Sequence, residues 1–375
     1  MGLDEGSKDS AFMQHALELA KQAWGETHPN PMVGAVIVER GEVVAAGWHA
    51  RAGQPHAEIV ALEALGRKPA AGATLYVTLE PCSTSGLTGA CTHAISESGI
   101  KRVVVGAIDP NPDHAGRGLD QLRANGIHVT ENVLMKDCMD LNLIFNHWTV
   151  HKKPLIAMKV ALTLDGKFAA ASGQSKWVTG ESARADVMRW RRYFPAIAVS
   201  ANTVLSDDPS LTSRIGDTVW CPRRFVFDRT LKTVAADFVP KLYSDGHIDR
   251  TTVLCSPEAS SKARSQLIEQ GVAVWELPEV GGHLDLAAFR ERCAGENIYG
   301  VYIEAGPEMA SNLLRQTFVD YTFVYKAPKF INDSKTAAIG FSQSTQSMDD
   351  ALRLKEVRHV VLGDDILMRG YLDYT

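Results

Sequence analysis

The sequence predicts a two-domain α/β protein, on three observations. At 375 residues the chain is longer than one hydrophobic core usually grows. Apolar, β-branched runs alternate with stretches of helical periodicity along most of it, the pattern of helices packed on a mostly parallel or mixed sheet. Between His147 and Pro154 the text turns polar and basic (His151, Lys152, Lys153), and a fresh series of elements starts at Leu155. The domains are therefore read as 1–150 and 151–375.

The first element is a helix over Ser10 to Trp24, where Phe12, Met13, Ala16, Leu17, Ala20 and Ala23 recur at helical spacing and Ser10 is read as the N-cap. Met32 to Val38 and Val43 to Trp48, split by Arg40-Gly41, read as a hairpin. A helix then runs from after Pro55 to about Leu65, followed by a buried strand over Thr74 to Leu79, a helix over Cys91 to Ser98 and a strand over Arg102 to Ala107. Arg117 to Ala124, Ile127 to Thr130 and Met135 to Phe145 continue the alternation. In the second half the strand-like runs are Leu155 to Ala161, Ala196 to Val199, Arg224 to Phe227, Thr251 to Leu254, Val272 to Trp275, Gly300 to Ile303 and Tyr321 to Tyr325.

Composition narrows the function classes. Apolar residues make up 45% and charged residues 22%, without low-complexity runs, and no apolar stretch approaches the roughly 18 residues that span a bilayer. Six sparse cysteines do not make a disulfide framework, so a reducing, cytoplasmic setting is expected, with no membrane partner. Thirty-nine basic residues against 44 acidic ones give a net charge of −5, with no basic block to meet phosphate backbones, which weighs against nucleic acid.

The chemistry-bearing text is Pro55-His56-Ala57-Glu58, then Pro81-Cys82, then Cys91. One imidazole and two thiolates neutralise Zn²⁺ and leave a fourth position for water, which is the equipment of a zinc-dependent deaminase. Glu58 is the candidate proton carrier between that water and a departing amine. His56 and Glu58 are two apart and share no face of a regular helix, so they serve one site only if the helix begins near His56. Nucleic-acid-editing deaminases carry the cysteines as P-C-x-x-C; here eight residues intervene, so the match is to the chemistry and not to that spacing. Gly86 and Gly89 let the intervening loop fold back. The competing reading is a closed structural zinc site, for which His93 is the candidate fourth ligand, or unrelated buried cysteines beside a capping acid.

These residues resemble a family, the bifunctional riboflavin-biosynthesis deaminase/reductases. The resemblance runs through His28-Pro29-Asn30-Pro31-Met32-Val33-Gly34, Gly47-Trp48-His49, Gly53-Gln54-Pro55-His56-Ala57-Glu58, Thr78-Leu79-Glu80-Pro81-Cys82-Ser83 and Asp109-Pro110-Asn111-Pro112. It implies a cytidine-deaminase-like αβα layered N-terminal domain in which Asn30 and His49 hold the pyrimidine. On their own, Asn30 reads as a turn residue and His49 as a strand-end side chain. Within the active-site loop the chain departs from the family: Thr84 stands where the family has His, and Leu87 where it has Arg or Lys. A lost cation there would cost about 1.5–3 kcal/mol, or about ten- to a hundredfold in binding.

In the second half no G-x-G-x-x-G follows a strand. Glu304-Ala305-Gly306-Pro307 offers another phosphate cradle, with Gly306 expected to permit a sharp turn and Pro307 at the first helical position. Its neighbours resemble the family's reductase half, which implies a dihydrofolate-reductase-like α/β fold and NADPH. The matching text is Lys159 to Lys167, Gly173 to Gly180, Thr203 to Arg214 and Glu304 to Pro307. The resemblance assigns Ala161, Trp177, Thr203, Asp207, Gly306 and Pro307 to NADPH, and Ser175, Arg191, Leu211, Arg214 and Glu304 to a ribosyl-phosphate substrate. Lys159 joins Glu304 as a candidate for polarising the sugar. Paired N–H donors suit Arg191 and Arg214 to a 5′-phosphate, though Arg189, Arg191 and Arg192 also read as a solvated helix face.

The resemblance implies small-molecule pyrimidine ribosyl phosphate substrates, Zn²⁺ and NADPH as cofactors, and a homo-oligomer. Two rivals stand beside it: a reductase whose deaminase-like half is an inactive scaffold because of Thr84 and Leu87, and a nucleotide-binding regulatory protein without turnover. A nucleic-acid deaminase ranks last.

Overall fold

The structure, a computed structural model, describes residues 5–83, 90–112, 114–172, 178–333, 336, 338 and 347–374. The chain divides into two compact units, Met1–Lys152 and Lys153–Thr375.

The N-terminal unit comprises α1 (Glu5–Ala20), β1 (Gly34–Glu39), β2 (Glu42–Trp48), α2 (Ala57–Leu65), β3 (Thr74–Leu79), α3 (Cys91–Ser98), β4 (Arg102–Ala107), α4 (Arg117–Ala124), β5 (His128–Thr130), α5 (Met135–Leu141) and α6 (Leu143–His151). Among the described residues its sheet has five strands in the order β2-β1-β3-β4-β5, antiparallel at β2-β1-β3 and parallel at β3-β4-β5. Side chains alternate across a strand, and here both sides are apolar. Ala35, Ile37, Leu75, Val77, Val103 and Val105 face a core with Ala57, Ala61, Ile95, Leu119 and Leu122 from α2, α3 and α4. The opposite side takes α1, so close that a Cβ on Gly34 would stand 2.0 Å from the Ala16 carbonyl oxygen. The result is a three-layer α/β/α unit.

The C-terminal unit comprises β6 (Leu155–Thr163), α7 (Glu181–Tyr193), β7 (Ala196–Ser200), α8 (Ala201–Asp207), β8 (Ser213–Ile215), β9 (Thr218–Trp220), β10 (Arg223–Phe227), β11 (Thr251–Cys255), α9 (Ser261–Glu269), β12 (Ala273–Glu276), β13 (Glu279–Val280), β14 (His283–Leu284), α10 (Leu286–Gly295), β15 (Gly300–Glu304), α11 (Pro307–Arg315), β16 (Tyr321–Ala327), β17 (Arg353–Leu362) and β18 (Asp365–Asp373). Among the described residues its main sheet has nine strands, ordered β12-β11-β10-β7-β15-β6-β16-β18-β17. Strands β12 to β16 in that order are parallel; β18 and β17 close the far edge antiparallel. Chain order runs β6, β7 and outward to β12, then returns to insert β15 between β7 and β6. That reversal leaves a crevice at the strands' carboxyl ends, where open α/β sheets take ligands.

Three details differ from the sequence reading. Helix α1 begins five residues before Ser10, whose hydroxyl donates back to the Gly6 carbonyl at 2.9 Å inside the helix and caps nothing. The polar stretch from His147 is helical to His151, because Asn146, His147 and Thr149 lie on buried turns of α6; the helix ends at Lys152, whose φ is +52°. Strands β17, which exposes Arg353, Lys355 and Glu356, and β18, which exposes Ile366 and Met368 while burying Asp365 and Arg369, are additions to the strands expected from the sequence. No described helix is long and apolar enough to cross a membrane, and the described cysteines are free thiols.

Candidate active sites

In the N-terminal unit two helices begin at one place. His56 is the N-cap of α2 with extended backbone, which puts Glu58 in the first turn beside it, and Cys91 opens α3. Gly47 makes the α2 position possible, since a Cβ there would lie 2.6 Å from the Ala57 carbonyl oxygen. Cys82, just past β3, takes the first orphan N–H groups of α3: Cys91 N donates to Cys82 Sγ at 3.3 Å and Thr92 N to the Cys82 carbonyl at 3.2 Å. The positive end of the helix favours thiolate character at Cys82.

His56 Nδ1 lies 3.3 Å from Cys91 Sγ and 3.6 Å from Cys82 Sγ, and the three ligand atoms are all within 4.8 Å of one another. Atoms bound to one tetrahedral zinc stand roughly 3.5–3.8 Å apart, so the group fits that ion. A hydrogen bond from the Cys91 thiol to the Cys82 sulfur holds Cys82 below the ordinary thiol range and pushes Cys91 above it, a pair sharing one proton that a bound dication would displace. His93, the candidate fourth ligand of a closed site, is exposed and pairs with Glu97 at 3.2 Å instead. Glu58 is 3% exposed, and burial pushes its carboxyl up to about 7, suited to taking and giving a proton near neutrality.

Around this centre, His49 Nδ1 meets the Pro55 carbonyl at 3.1 Å and His49 Nε2 meets Asn30 Nδ2 at 3.2 Å, while the His49 and His56 rings stand edge to face at 5.6 Å. Glu80 is a residue the sequence reading left without a role. Its buried carboxylate accepts the backbone N–H of Asp109 (3.1 Å), Gly116 (3.0 Å) and Gly118 (2.9 Å), tying the 109–118 segment to the strand end that carries Cys82. Thr84, Gly86, Leu87 and Gly89 lie outside the described residues.

In the C-terminal unit a cavity of about 990 Å³ opens at the carboxyl ends of β6, β7, β10 and β15. Of the residues expected there, Lys159, Ala161, Arg191, Thr203, Asp207, Glu304, Gly306 and Pro307 line it. Leu211 is buried with φ +55° and Arg214 is exposed on β8; neither lines the cavity. Ser175 and Trp177 lie outside the described residues. Pro307 is the first residue of α11, as expected, but Gly306 has φ −75°, extended backbone any residue adopts. What glycine contributes there is space: a Cβ would meet nothing within 4 Å, and the α11 N-terminus is left open to the cavity.

Cross-strand register puts Glu304 opposite Lys159. Arg191, from α7, reaches Glu304 with two bonds, Nε to Oε1 at 2.6 Å and Nη2 to Oε2 at 3.0 Å, and gives a third to the Thr212 carbonyl at 2.9 Å. Burial works against the Glu304 charge, but Arg191 and then Lys159 outweigh it and hold the carboxyl at about 2. Lys159 is lowered, chiefly by burial. The solvated-face reading of Arg191 is thus replaced by a buried ion pair in the cavity wall. The sequence reading also passed over Arg229 and Lys232, which line the cavity just beyond β10; their place after a carboxyl-end Phe227-Asp228 is the signal that would have found them.

Comparison with known proteins agrees with both halves. Residues 6–107 match the cytidine and deoxycytidylate deaminase zinc-binding region, a span that contains His56, Cys82 and Cys91, and residues 154–368 match the RibD C-terminal domain. The chain is 38% identical to the riboflavin biosynthesis protein RibD of Actinobacillus pleuropneumoniae, over 98% of this chain and 95% of that one. It is also 38% identical to RibD of Escherichia coli K12, over 96% and 98%. Among solved structures it superposes on the Thermotoga maritima diaminohydroxyphosphoribosylaminopyrimidine deaminase/5-amino-6-(5-phosphoribosylamino)uracil reductase with TM-score 0.79 at 32% identity, covering 98% of this chain and 99% of that one. Acinetobacter baumannii RibD gives TM-score 0.78 at 34% identity, covering 98% and 100%. The N-terminal unit is therefore cytidine-deaminase-like with a zinc-binding His/Cys/Cys group, the C-terminal unit is a dihydrofolate-reductase-like RibD reductase domain that implies NADPH, and the chain belongs to the RibD family of bifunctional deaminase/reductases of riboflavin biosynthesis.

Proposed function

We propose that the N-terminal unit removes the 2-amino group of 2,5-diamino-6-ribosylamino-4(3H)-pyrimidinone 5′-phosphate as ammonia, and that the C-terminal unit then reduces the ribosyl group with NADPH to give 5-amino-6-ribitylaminouracil 5′-phosphate. The observation that carries this reading is the convergence of His56, Cys82 and Cys91 with a buried Glu58 at the start of the same helix.

His56, Cys82 and Cys91 would hold the zinc, which when bound supplies Lewis-acid activation of water. Glu58, buried at the start of the same helix, would take a proton from the attacking water and deliver it to the departing amine, so that C–N is exchanged for C–O at the ring carbon and ammonia leaves. Asn30 and His49 orient the pyrimidine. In the reductase NADPH, when bound, would supply the hydride that the ribosyl group takes up at C1′. Ala161, Thr203, Asp207 and the Gly306-Pro307 helix start, which line the cavity, would hold that cofactor, together with Trp177 from outside the described residues. Lys159 polarises the sugar oxygen as the ring opens, beside a Glu304 kept anionic by Arg191, while Ser175, Leu211 and Arg214 are the remaining substrate contacts the family suggests. The free thiols fit a reducing, cytoplasmic setting and the net charge of −5 fits a small-molecule substrate, while the homo-oligomer is what the family resemblance suggests.

The test is metal analysis with paired ammonia and NADPH assays on the purified wild type and on Glu58→Gln. The expected result is zinc in both, ammonia from the wild type alone, and NADPH oxidation by both on the deaminated substrate. Wild type that contains zinc and releases no ammonia, yet oxidises NADPH, would instead favour the scaffold reading raised by Thr84 and Leu87. No turnover in either assay would leave the regulatory reading.

A further inference from the structure

Helix α7 turns one face to the reductase cavity: Arg184, Val187, Met188 and Arg191 follow one another at helical spacing and all line it, as do Val178 and Thr179 just ahead of the helix. Where α7 starts therefore sets where those side chains stand. Its N-cap, Gly180, has no side chain to take the first N–H groups. The acceptor comes from the other end of the chain. Asp365, the first residue of β18 and 3% exposed, accepts the Gly180 N–H at Oδ2 over 2.6 Å. A Cβ at position 180 would stand 3.3 Å from that oxygen, so a bare Cα lets the carboxylate come this near. The β17–β18 turn touches the helix again beside it, where a Cβ on Gly363 would stand 3.4 Å from Ser182 Oγ. Further along, the Arg369 guanidinium of β18 lies 5.0 Å from the centre of the Trp190 ring. Strand β18 thus meets α7 in its first turn and in its last. The wall ahead of the helix is held in the same manner: the Val178 carbonyl accepts from Lys329 Nζ at 2.9 Å and the Thr179 carbonyl from Arg184 Nη1 at 2.8 Å. With the Gly180 N–H on Asp365, three consecutive residues each give one backbone group to a charged side chain, and none of these peptides can turn without losing a charge-assisted bond.

We infer that Asp365 is a positioning residue of the reductase: from the β17–β18 turn it fixes Gly180, and through Gly180 the placing of α7 and of the 178–180 wall against the cavity. Asp365 is not among the residues that line the cavity. It acts through the helix that carries Arg191 to Glu304, and its charge faces the positive end of that helix, where an anion is favoured. The hairpin at the antiparallel edge of the sheet thereby governs a binding site it does not touch. This rests on the reductase reading above.

The test uses the full-length, zinc-loaded chain and three variants. Asp365→Ala removes the acceptor, Asp365→Asn keeps one in nearly the same place, and Leu372→Ala loosens the same strand from its other face, where Leu372 packs on the main core. Asp365→Ala should speed hydrogen exchange at the Gly180 amide at least about tenfold, and should raise both the KM for the deaminated pyrimidine and the NADPH dissociation constant about tenfold, with kcat changed less and zinc content unchanged. Asp365→Asn should bring all three back to within about threefold of wild type. Leu372→Ala should melt lower and yet bind both ligands normally. Should Asp365→Ala fail to fold, Asp365→Glu, which sets the carboxylate one methylene away from its place, gives the same reading. Binding unchanged when the acceptor is lost or displaced, an Asp365→Asn as impaired as Asp365→Ala, or a Leu372→Ala whose KM rises as far would each overturn the inference. A wild type that does not oxidise NADPH on the deaminated pyrimidine would sink the reductase reading instead, and the Gly180 exchange rate and the NADPH titration would still decide whether Asp365 holds the helix.

Discussion

Replacing Glu304 by Gln tests the reductase cavity most sharply, because two cationic side chains depend on that one charge. The carboxylate accepts two bonds from Arg191 and faces Lys159 across the strands. Its pKa falls from 4.5 to about 2, which favours the ionised form in the folded state by about 3 kcal/mol. Removing one partner of a buried pair costs a similar amount, roughly 3–5 kcal/mol, since the other is left uncompensated. At roughly 2–4 °C per kcal/mol for a unit of this size, the variant should melt about 6–20 °C lower at pH 7. The transition that belongs to this unit is the one NADPH raises. The pH dependence carries a sign. The stabilisation from a depressed carboxylate is complete above its unfolded value near 4.5 and is lost as pH falls through about 2. The gap between wild type and Glu304→Gln should therefore shrink between pH 5 and pH 2. The double variant Arg191→Met/Glu304→Leu should cost clearly less than the sum of its two singles. A gap under 0.5 kcal/mol at pH 7, or one constant down to pH 2, would refute the reasoning.

Glu80→Gln puts an amide NH₂ against at least one of three backbone N–H donors; the N-terminal unit should lose about 2–4 kcal/mol and hold zinc more weakly, read by chelator competition, with reductase turnover intact. Gly118→Ala places a Cβ 2.3 Å from the Pro81 carbonyl oxygen, so the same zinc assay should show weakened retention, and unaltered binding would mean the strand end moves freely. Lys159→Met should cut NADPH oxidation at least about a hundredfold while ammonia release continues, because the two reactions use different units.

The parallel strands were legible because a strand covered on both faces must be apolar throughout: Thr74–Leu79 and Arg102–Ala107 are found where they were expected. The β17–β18 hairpin escaped because its outer strand is half solvated and reads Arg-Leu-Lys-Glu-Val-Arg-His, a text with as much charge as apolar surface. Helix α6 hid its last turn for the opposite reason, burying polar residues that look like linker. At the metal centre, short range sufficed: His56 and Glu58 needed only a helix start between the site and the core. Arg191 did not yield to such reasoning. Its partners Glu304 and Thr212 are far away in sequence, and a stretch of three arginines on one helix gives no hint of which is drawn inside.

Two glutamates in this chain show how little the residue type decides by itself. Glu58 and Glu304 are both almost wholly withdrawn from water, and withdrawal raises both carboxyls. At Glu58 the nearby His56 offsets that only in part and burial prevails, so the carboxyl rises to about 7, where it exchanges protons with least bias. At Glu304 a guanidinium with two matched bonds and an ammonium across the strands reverse the outcome, and the group keeps its charge at any working pH. The first is built to change state in each turnover; the second is built never to. Arg191 removed from beside Glu304 would leave burial to raise that carboxyl, as it raises Glu58, and take away the fixed charge on which the cavity wall is built.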